Sequence, residues 1–501
     1  MERGQPESDV HAACRERIAT LEALVAKLLD QHARQTGELH RKIDEQQRKI
    51  DELEARLNSN SKNSSKPPSS DPPSVPPHPP KPPSGRSPGG QPGHPGHSRP
   101  LLPPDQVDRI VVVKPKRCFR CGRRLKDGDD PDPLRHQVTE LPEPRASTTE
   151  YRRHRLECEG CRDWTLADLP PDVPEGAFGP RLQAVLAYLS GQAHLSKRSI
   201  EEAMKDLFGV TISLGAVVAA QQAVSEAVAP AVEEAKAYVE EQPVVHADET
   251  GWREGPREDG EPGRKRAWLW VAVTSWVTVF LIHARRGAEG ARALLGRFAG
   301  YLVTDRWNGY NGWPLRRRQV CWAHLIRDWV GFSEWRGNAG KVGRELLKQA
   351  VRMFEVWHRA RDQTWRRSTL AVRTRPIRRR VERWLRKGTR CGTGKVERSC
   401  QKMLAVFPAF WTFVRVEGIE PTNNAAERAI RPAVLYRKGC FGTNSPEGSR
   451  FVERLLTVVT TLRQQGRNVL QFLTQACINT QMGRTAPSLL PARRRAVHAV
   501  A

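Results

Sequence analysis

PVVHADETG (residues 243–251), RKRAWLWVAVT (264–274), WVTVFLIHA (276–284), GAEGARALLGRF (287–298) and YLVTDRWNGY (301–310) follow one another with little between them, and their order decides the fold. Four of the five are short runs rich in β-branched and aromatic residues, bounded by Gly, Asp, Asn or Ser, and such runs form strands. The fourth has helical character. Strand, strand, strand, helix, strand predicts a mixed α/β sheet. Asp248 follows the apolar VVHA and Asp305 follows YLVT, so each is an acid at the C-terminal end of a buried strand. Singly, such an Asp is a turn or capping residue. As a pair on neighbouring strands, the two can also bridge metal ions. Glu249 points to the opposite face if the strand continues, because side chains alternate along a strand, and it is not assigned to metal.

Downstream, residues 325–410 read as helical and strongly basic, with thirteen Lys/Arg against two Asp/Glu over 359–390, which suits a surface that tracks phosphates. In TNNAAERAIRP, Thr422, Asn423 or Asn424 is expected to cap a helix that places Glu427 and Arg431 on one face. Alone, that pattern is a surface ion pair. Together with Asp248 and Asp305, Glu427 completes three carboxylates on strand, strand and helix, a set that phosphoryl chemistry uses. Two divalent ions about 3.5–4 Å apart can activate water or a 3′-hydroxyl and stabilise the leaving oxygen. Hard oxygen donors select magnesium or manganese. The chain is expected to stay helical over 421–475, with a turn around Gly439–Gly448.

Upstream, residues 178–240 read as helices. A helix–turn–helix from Ser196 to about Val224, broken at Gly209 and capped at Ser213, suits either DNA reading or ordinary packing. Residues 105–170 form a small module with two CxxC pairs, Cys118/Cys121 and Cys158/Cys161, separated by 36 residues. Four such thiolates can hold one structural zinc ion; a redox CxxC is the competing reading. Lys116, Arg117, Arg120, Arg123 and Arg124 would make the module a DNA contact. Residues 58–104 are a Pro/Ser/Gly-rich basic linker without the side chains to build a core. Residues 14–57 read as a helix with Ile18, Leu21, Val25 and Leu28, then Leu39, Ile43, Ile50, Leu53 and Leu57, at three- and four-residue spacings. It is a short coiled coil with a stutter, or an amphipathic helix packed on its own chain. Residues 476–501 are a basic tail.

The whole chain of 501 residues carries a net charge of +26, from Lys+Arg 82 against Asp+Glu 56. That excess suits a polyanionic partner, and double-stranded DNA fits better than a membrane because the charge is spread along the chain. The longest apolar run, 267–282, is shorter than the ~20 residues of a spanning helix. With no secretory or transit signature, the expected location is the cytoplasm, on the nucleoid. The ten cysteines are then expected to be reduced.

The segments HADETGW, TDRWNGYN, CWAHLIRD, TNNAAERAIRP and RKGCFGTNSPEGSR, with LNSNSKNSSKPPSSD and the CxxC pairs upstream, resemble the transposases of the insertion sequence 66 family. The resemblance runs from about Leu39 to about Leu473. It implies an RNase H-like catalytic domain over 243–475, interrupted by a helical insertion at about 325–415; the 122 positions from Asp305 to Glu427 leave room for one. It implies that Asp248, Asp305 and Glu427 are the catalytic metal ligands, and that His324, Arg428, Arg431 and Lys438 contact DNA or support them. His324 can equally be a packed histidine. The reaction implied is cleavage at the element's 3′ ends followed by strand transfer into target DNA, by a homo-oligomer and with possible element-encoded accessory proteins. A DNA-binding protein without catalysis, and a metal-dependent nuclease without joining, are the alternatives.

Overall fold

The computed structural model describes residues 6–58, 60, 62–63, 99–174, 176–256 and 264–491. Most of the expected linker (64–98), most of the basic tail (492–501) and part of the polar loop after Glu254 (257–263) lie outside the described residues. In chain order come helix α1 (Pro6–Leu57), strands β1 (Arg155–Glu157) and β2 (Trp164–Leu166), and helices α2 (Pro180–Gly191), α3 (Lys197–Phe208) and α4 (Leu214–Glu240). Strands β3 (Val244–Pro256), β4 (Arg264–Val273) and β5 (Thr278–His283) follow, then α5 (Ala288–Leu295), β6 (Tyr301–Thr304) and β7 (Arg318–Val320). The rest is helical: α6 (Trp322–Ser333), α7 (Gly337–Arg361), α8 (Arg367–Gly388), α9 (Gly394–Ala405), α10 (Thr412–Arg415), α11 (Asn424–Cys440), α12 (Pro446–Gln464) and α13 (Val469–Gln481).

The expected mixed sheet is present. Its five strands run in the order β5-β4-β3-β6-β7. The first three are antiparallel, and β3, β6 and β7 are mutually parallel. Strand β7 escapes sequence reading because it is three residues long and begins with an arginine. Arg318 is nevertheless fully buried. Its guanidinium donates to Thr304 Oγ1 (3.2 Å), Asn311 Oδ1 (3.1 Å) and the carbonyls of Asp305 (3.0 Å) and Trp307 (3.2 Å), and those acceptors make its burial tolerable.

Both edges of the sheet are closed by side chains. Along β5, the Thr278 and Phe280 amides donate to the hydroxyls of Thr461 and Thr457 (3.0 Å each), and the Ile282 amide donates to Glu453 Oε1. The acceptors recur every four residues of α12 and the donors every two of β5, rises of about 6 and 7 Å that keep helix and strand in step. At β7, Thr412 Oγ1 donates to the Arg318 carbonyl (2.6 Å) and Gln319 Oε1 accepts from the Phe413 amide (2.9 Å).

Three buried clusters organise the chain. The largest joins β3, β4 and β5 to α4, α5, α11, α12 and α13, and includes Leu302 of β6. A second is built by the helices between β7 and α11, together with Val303 and Val320 of the sheet. Trp322 is its centre, edge-on to Trp329 (5.7 Å between centroids) and Trp411 (5.1 Å), with its indole N–H bonded to the Phe410 carbonyl (2.8 Å). The third is small and unites α2, α3 and α4. There Gly209 ends α3 in the left-handed region (φ 67°), and the Ser213 side chain accepts from the Ala216 amide to cap α4.

Helix α1 is continuous over 52 residues. Among the described residues, Ile18, Leu21, Val25, Leu28, Leu39, Ile43, Ile50, Leu53 and Leu57 are all exposed.

Candidate active site

Strand register brings the two aspartates together. His246 pairs with Val303 across β3 and β6, so two residues further on Asp248 stands opposite Asp305. Thr304 pairs with Val320 across β6 and β7, which places Cys321 opposite Asp305 in turn. Asp305 and Cys321 directly follow the last residues of β6 and β7. Asp248 does not end its strand as expected: β3 runs on to Pro256 paired with β4, and only its parallel ladder with β6 stops before Asp248. Asp248 Oδ1 accepts from the Glu249 amide (2.9 Å), and Asp305 Oδ1 accepts from the Trp307 amide (2.8 Å) in a local turn.

Helix α11 brings Glu427. Asn423 occupies the N-cap position, but its side chain does not cap the helix as expected; it reaches back to β3. Its amide donates to the Ala247 carbonyl (2.8 Å), and its Oδ1 meets His246 Nδ1 (3.2 Å). That bridge fixes the first turn of α11, and with it Glu427, beside the strand carrying Asp248. Glu427 also finds a different cation from the one expected. Among the described residues its partners within 4 Å are Arg327 Nη2 (3.9 Å) and His324 Nδ1 (3.7 Å), and Arg431 is not one of them. Arg428, Arg431 and Lys438 are exposed along α11, from its first turn to its last.

The electrostatics are those of anions packed against their own repulsion. Burial raises Asp248 well above the usual carboxylate range, and the neighbouring charges of Glu249, Asp305 and Glu427 raise it further. Burial also raises Asp305, opposed by the bond from Trp307 and by Arg318, Arg286 and Arg306. Crowded, desolvated carboxylates of this kind are what a bound cation relieves, so the donor set fits divalent metal. The oxygens of Asp248, Asp305 and Glu427 are not all within 4.8 Å of one another. A pair of ions about 3.5–4 Å apart spreads its ligands more widely than one ion does.

Strand β3 continues through Glu249. Its carboxylate is buried, accepting from Arg286 Nε (3.0 Å) and Tyr310 Oη (2.8 Å). Burial and the charge of Asp305 push it up to about 7, against the pull of Arg286. Arg286 is itself sandwiched between the rings of Trp268 (4.7 Å) and Trp307 (4.0 Å). Nothing in the local sequence announces this cluster, since Glu249 and Arg286 are 37 positions apart.

The glycine-containing turn after α11 completes the neighbourhood. Gly442 (φ 107°) brings its backbone against Arg253, where an added Cβ would overlap the Arg253 carbonyl oxygen. The Thr443 amide donates to that same carbonyl (2.9 Å), which extends the ladder of β3.

Away from the sheet, each CxxC pair forms the same knuckle. The Cys118 amide donates to the Arg123 carbonyl and that of Gly122 to Cys118; the Cys158 amide donates to Asp163 and that of Arg162 to Cys158, all at 2.8–2.9 Å. Gly122 (φ 69°) and Arg162 (φ 61°) occupy the same left-handed position in each. Backbone N–H groups of Cys121 and Arg120 hold the Cys118 thiol below its ordinary value, and those of Cys161 and Gly160 do the same for Cys158. The structure does not gather three or more of the four sulfurs within 4.8 Å. Among the described residues no helix is long and apolar enough to cross a membrane.

Buried aspartates on adjacent parallel strands of a mixed sheet, a third acid on α11 and a net charge of +26 suit a protein whose partner is a polyanion. The chain belongs to the Transposase IS66 family, whose family model matches residues 175–450, more than half of its length. A second model, for a family of unknown function (DUF6444), matches residues 7–100. Among curated relatives from Sinorhizobium fredii, the uncharacterized protein y4hP is 24% identical over 72% of this chain and 70% of its own length. The uncharacterized protein y4qI is 23% identical over 44% of each chain, and y4jD is 22% identical over 64% of this chain and 66% of its own.

Proposed function

We propose that the chain is a DNA transposase in which Asp248, Asp305 and Glu427 carry out metal-dependent cleavage of element ends and strand transfer. The observation that carries this reading is the register that brings Asp248 opposite Asp305, with Glu427 on the helix whose first turn Asn423 ties to β3. The order β5-β4-β3-β6-β7, antiparallel then parallel, supports an RNase H-like core, and the helices α6 to α10 are its insertion.

The three carboxylates would hold two magnesium or manganese ions, which when bound supply activation of the attacking hydroxyl and neutralisation of the leaving oxygen. The protein's own work is placement. Asn423 and the Trp307 amide fix the acids, and the charge of Arg286 offsets the repulsion between Glu249 and Asp305. Arg428, Arg431 and Lys438 are oriented to bind DNA phosphates on the exposed side of α11, and α8 offers a second basic face. The four cysteines fit one structural zinc ion, because both knuckles already point backbone N–H groups at sulfur. The exposed apolar positions of α1 suit pairing with a second copy.

The test is cleavage and strand transfer on cognate element ends with magnesium or manganese, comparing wild type with Asp248→Asn, Asp305→Asn and Glu427→Gln. Each variant is expected to lose both steps while retaining DNA binding. Cutting at the wild-type rate by all three would remove the carboxylates from the mechanism, and nicking without joined product would leave a nuclease.

A further inference from the structure

We propose that Cys321, His324 and Glu427 form a binding site for a borderline transition-metal ion of the zinc class, distinct in its donors from the aspartate pair. Cys321 is the N-cap of α6 and His324 stands in its first turn, while Glu427 stands in the first turn of α11. The ligand atoms of all three lie within 4.8 Å of one another. Glu427 Oε1 is 3.9 Å from Cys321 Sγ and 3.7 Å from His324 Nδ1. Ligands of a tetrahedral zinc ion, with bonds of about 2.3 Å to sulfur and 2.0–2.1 Å to nitrogen and oxygen, stand about 3.5 and 3.3 Å apart at those two pairs. Those two pairs are therefore each about 0.4 Å from zinc geometry, and the third, Cys321 with His324, lies within 4.8 Å.

The surrounding structure holds these groups in place for a ligand. The Cys321 amide donates to the Thr304 carbonyl (2.8 Å), and the Trp322 amide to the Pro421 carbonyl (2.9 Å), so the starts of α6 and α11 are tied together. The Asn423 amide donates to Cys321 Sγ (3.2 Å), a bond that favours thiolate. His324 Nδ1 is buried and, among the described residues, has no hydrogen-bond partner. A core cysteine beside a packed histidine accounts for the burial of both and leaves that nitrogen unexplained. Sulfur, imidazole and one carboxylate together are a softer set than the oxygens of Asp248 and Asp305, and they select zinc or cobalt over magnesium. Arg327, 3.9 Å from the same Glu427 oxygen, is the cation that such an ion would displace.

The site does not depend on the catalytic reading, but its consequence does. Glu427 cannot serve both sites fully, so occupancy by zinc would draw the third acid away from magnesium and restrain the enzyme.

Cobalt(II) is the probe, titrated into the full-length protein as purified and read by thiolate-to-cobalt charge transfer and tetrahedral d–d absorption. Wild type is expected to show both. Cys321→Ser is expected to lose the charge-transfer band contributed by this site, and His324→Ala and Glu427→Gln to weaken cobalt binding by at least about tenfold. Asp248→Asn is expected to leave the cobalt spectrum unchanged, which separates this site from the aspartate pair. Circular dichroism on each variant identifies any that fails to fold, and Cys321→Ala serves as the apolar replacement where the near-isosteric serine is not tolerated. Identical spectra from wild type and a folded Cys321 variant would overturn the proposal, whatever the outcome of the cleavage assay.

Discussion

Replacing Glu453 by glutamine should make the protein more stable above neutral pH and leave it nearly unchanged in acid. Glu453 projects from α12 onto the edge of β5 and accepts the Ile282 amide. Burial pushes its carboxyl up from an ordinary 4.5 to about 7, and Glu254 adds to the rise; the Ile282 bond, Lys236 and Arg454 oppose it. A carboxyl whose proton affinity is higher in the folded state favours folding fully below pH 4.5, and that stability is lost as pH rises through 7. The difference between 4.5 and about 7 corresponds to about 3 kcal/mol between pH 4 and pH 8, at 1.36 kcal/mol per pH unit. Glutamine keeps the carbonyl that caps Ile282 and carries no charge to desolvate. The assay is thermal unfolding of full-length wild type and Glu453→Gln from pH 5 to 8, with hydrogen exchange at the Ile282 amide as the local readout. The variant's advantage should grow with pH and approach 3 kcal/mol at pH 8. A loss that deepens as pH rises would refute the reasoning, because it would mean that the ionised carboxylate is the better partner for the edge.

Thr443→Val should cost about 1–3 kcal/mol, since it leaves the buried Trp252 indole N–H (3.2 Å) and Ser449 hydroxyl (2.7 Å) without their partner. Trp252 fluorescence during unfolding would report it, and a stability unchanged from wild type would show that the turn is not bound to β3 as described. Metal analysis of the purified protein should find one tightly held zinc ion released by Cys118→Ser or by Cys158→Ser, and chelation should speed proteolysis within 105–170. Loss of zinc from only one of the two variants would mean that the knuckles do not share an ion. Leu21→Ser with Leu28→Ser should convert an associated form to monomer in light scattering; an unchanged mass would leave α1 without that role.

How much of this was legible depends on how far apart the partners lie. The sheet and its two aspartates can be read locally, because strand alternation and a terminal acid are features of single segments. Glu427 is legible as a helix residue, but the contacts that place it are not. Asn423 resembles a cap by position and spends its amide on Ala247, 176 positions away. Arg318 disguises a strand, since burying a guanidinium makes sense only when four acceptors from other segments are in view. The Glu249–Arg286–Tyr310 cluster and the thiol and imidazole beside Glu427 are hidden for the same reason. The two knuckles are the opposite case: each is a six-residue motif whose backbone pattern follows from its own sequence.

Neighbouring residues of β6 belong to different interiors: Leu302 to the sheet cluster, Val303 to the helical one. Glu427 has the same divided allegiance, since Ala426 beside it is rooted in the first cluster while its carboxylate rests on His324 and Arg327 of α6. The gap between the aspartates and the third acid is therefore the width of a joint, set by how two packed bodies meet. DNA lying across the basic helices could alter that width without breaking a strand pairing. Substitutions deep in the helical half, Trp322 above all, would then register at the acids as a change of fit, though they touch no carboxylate.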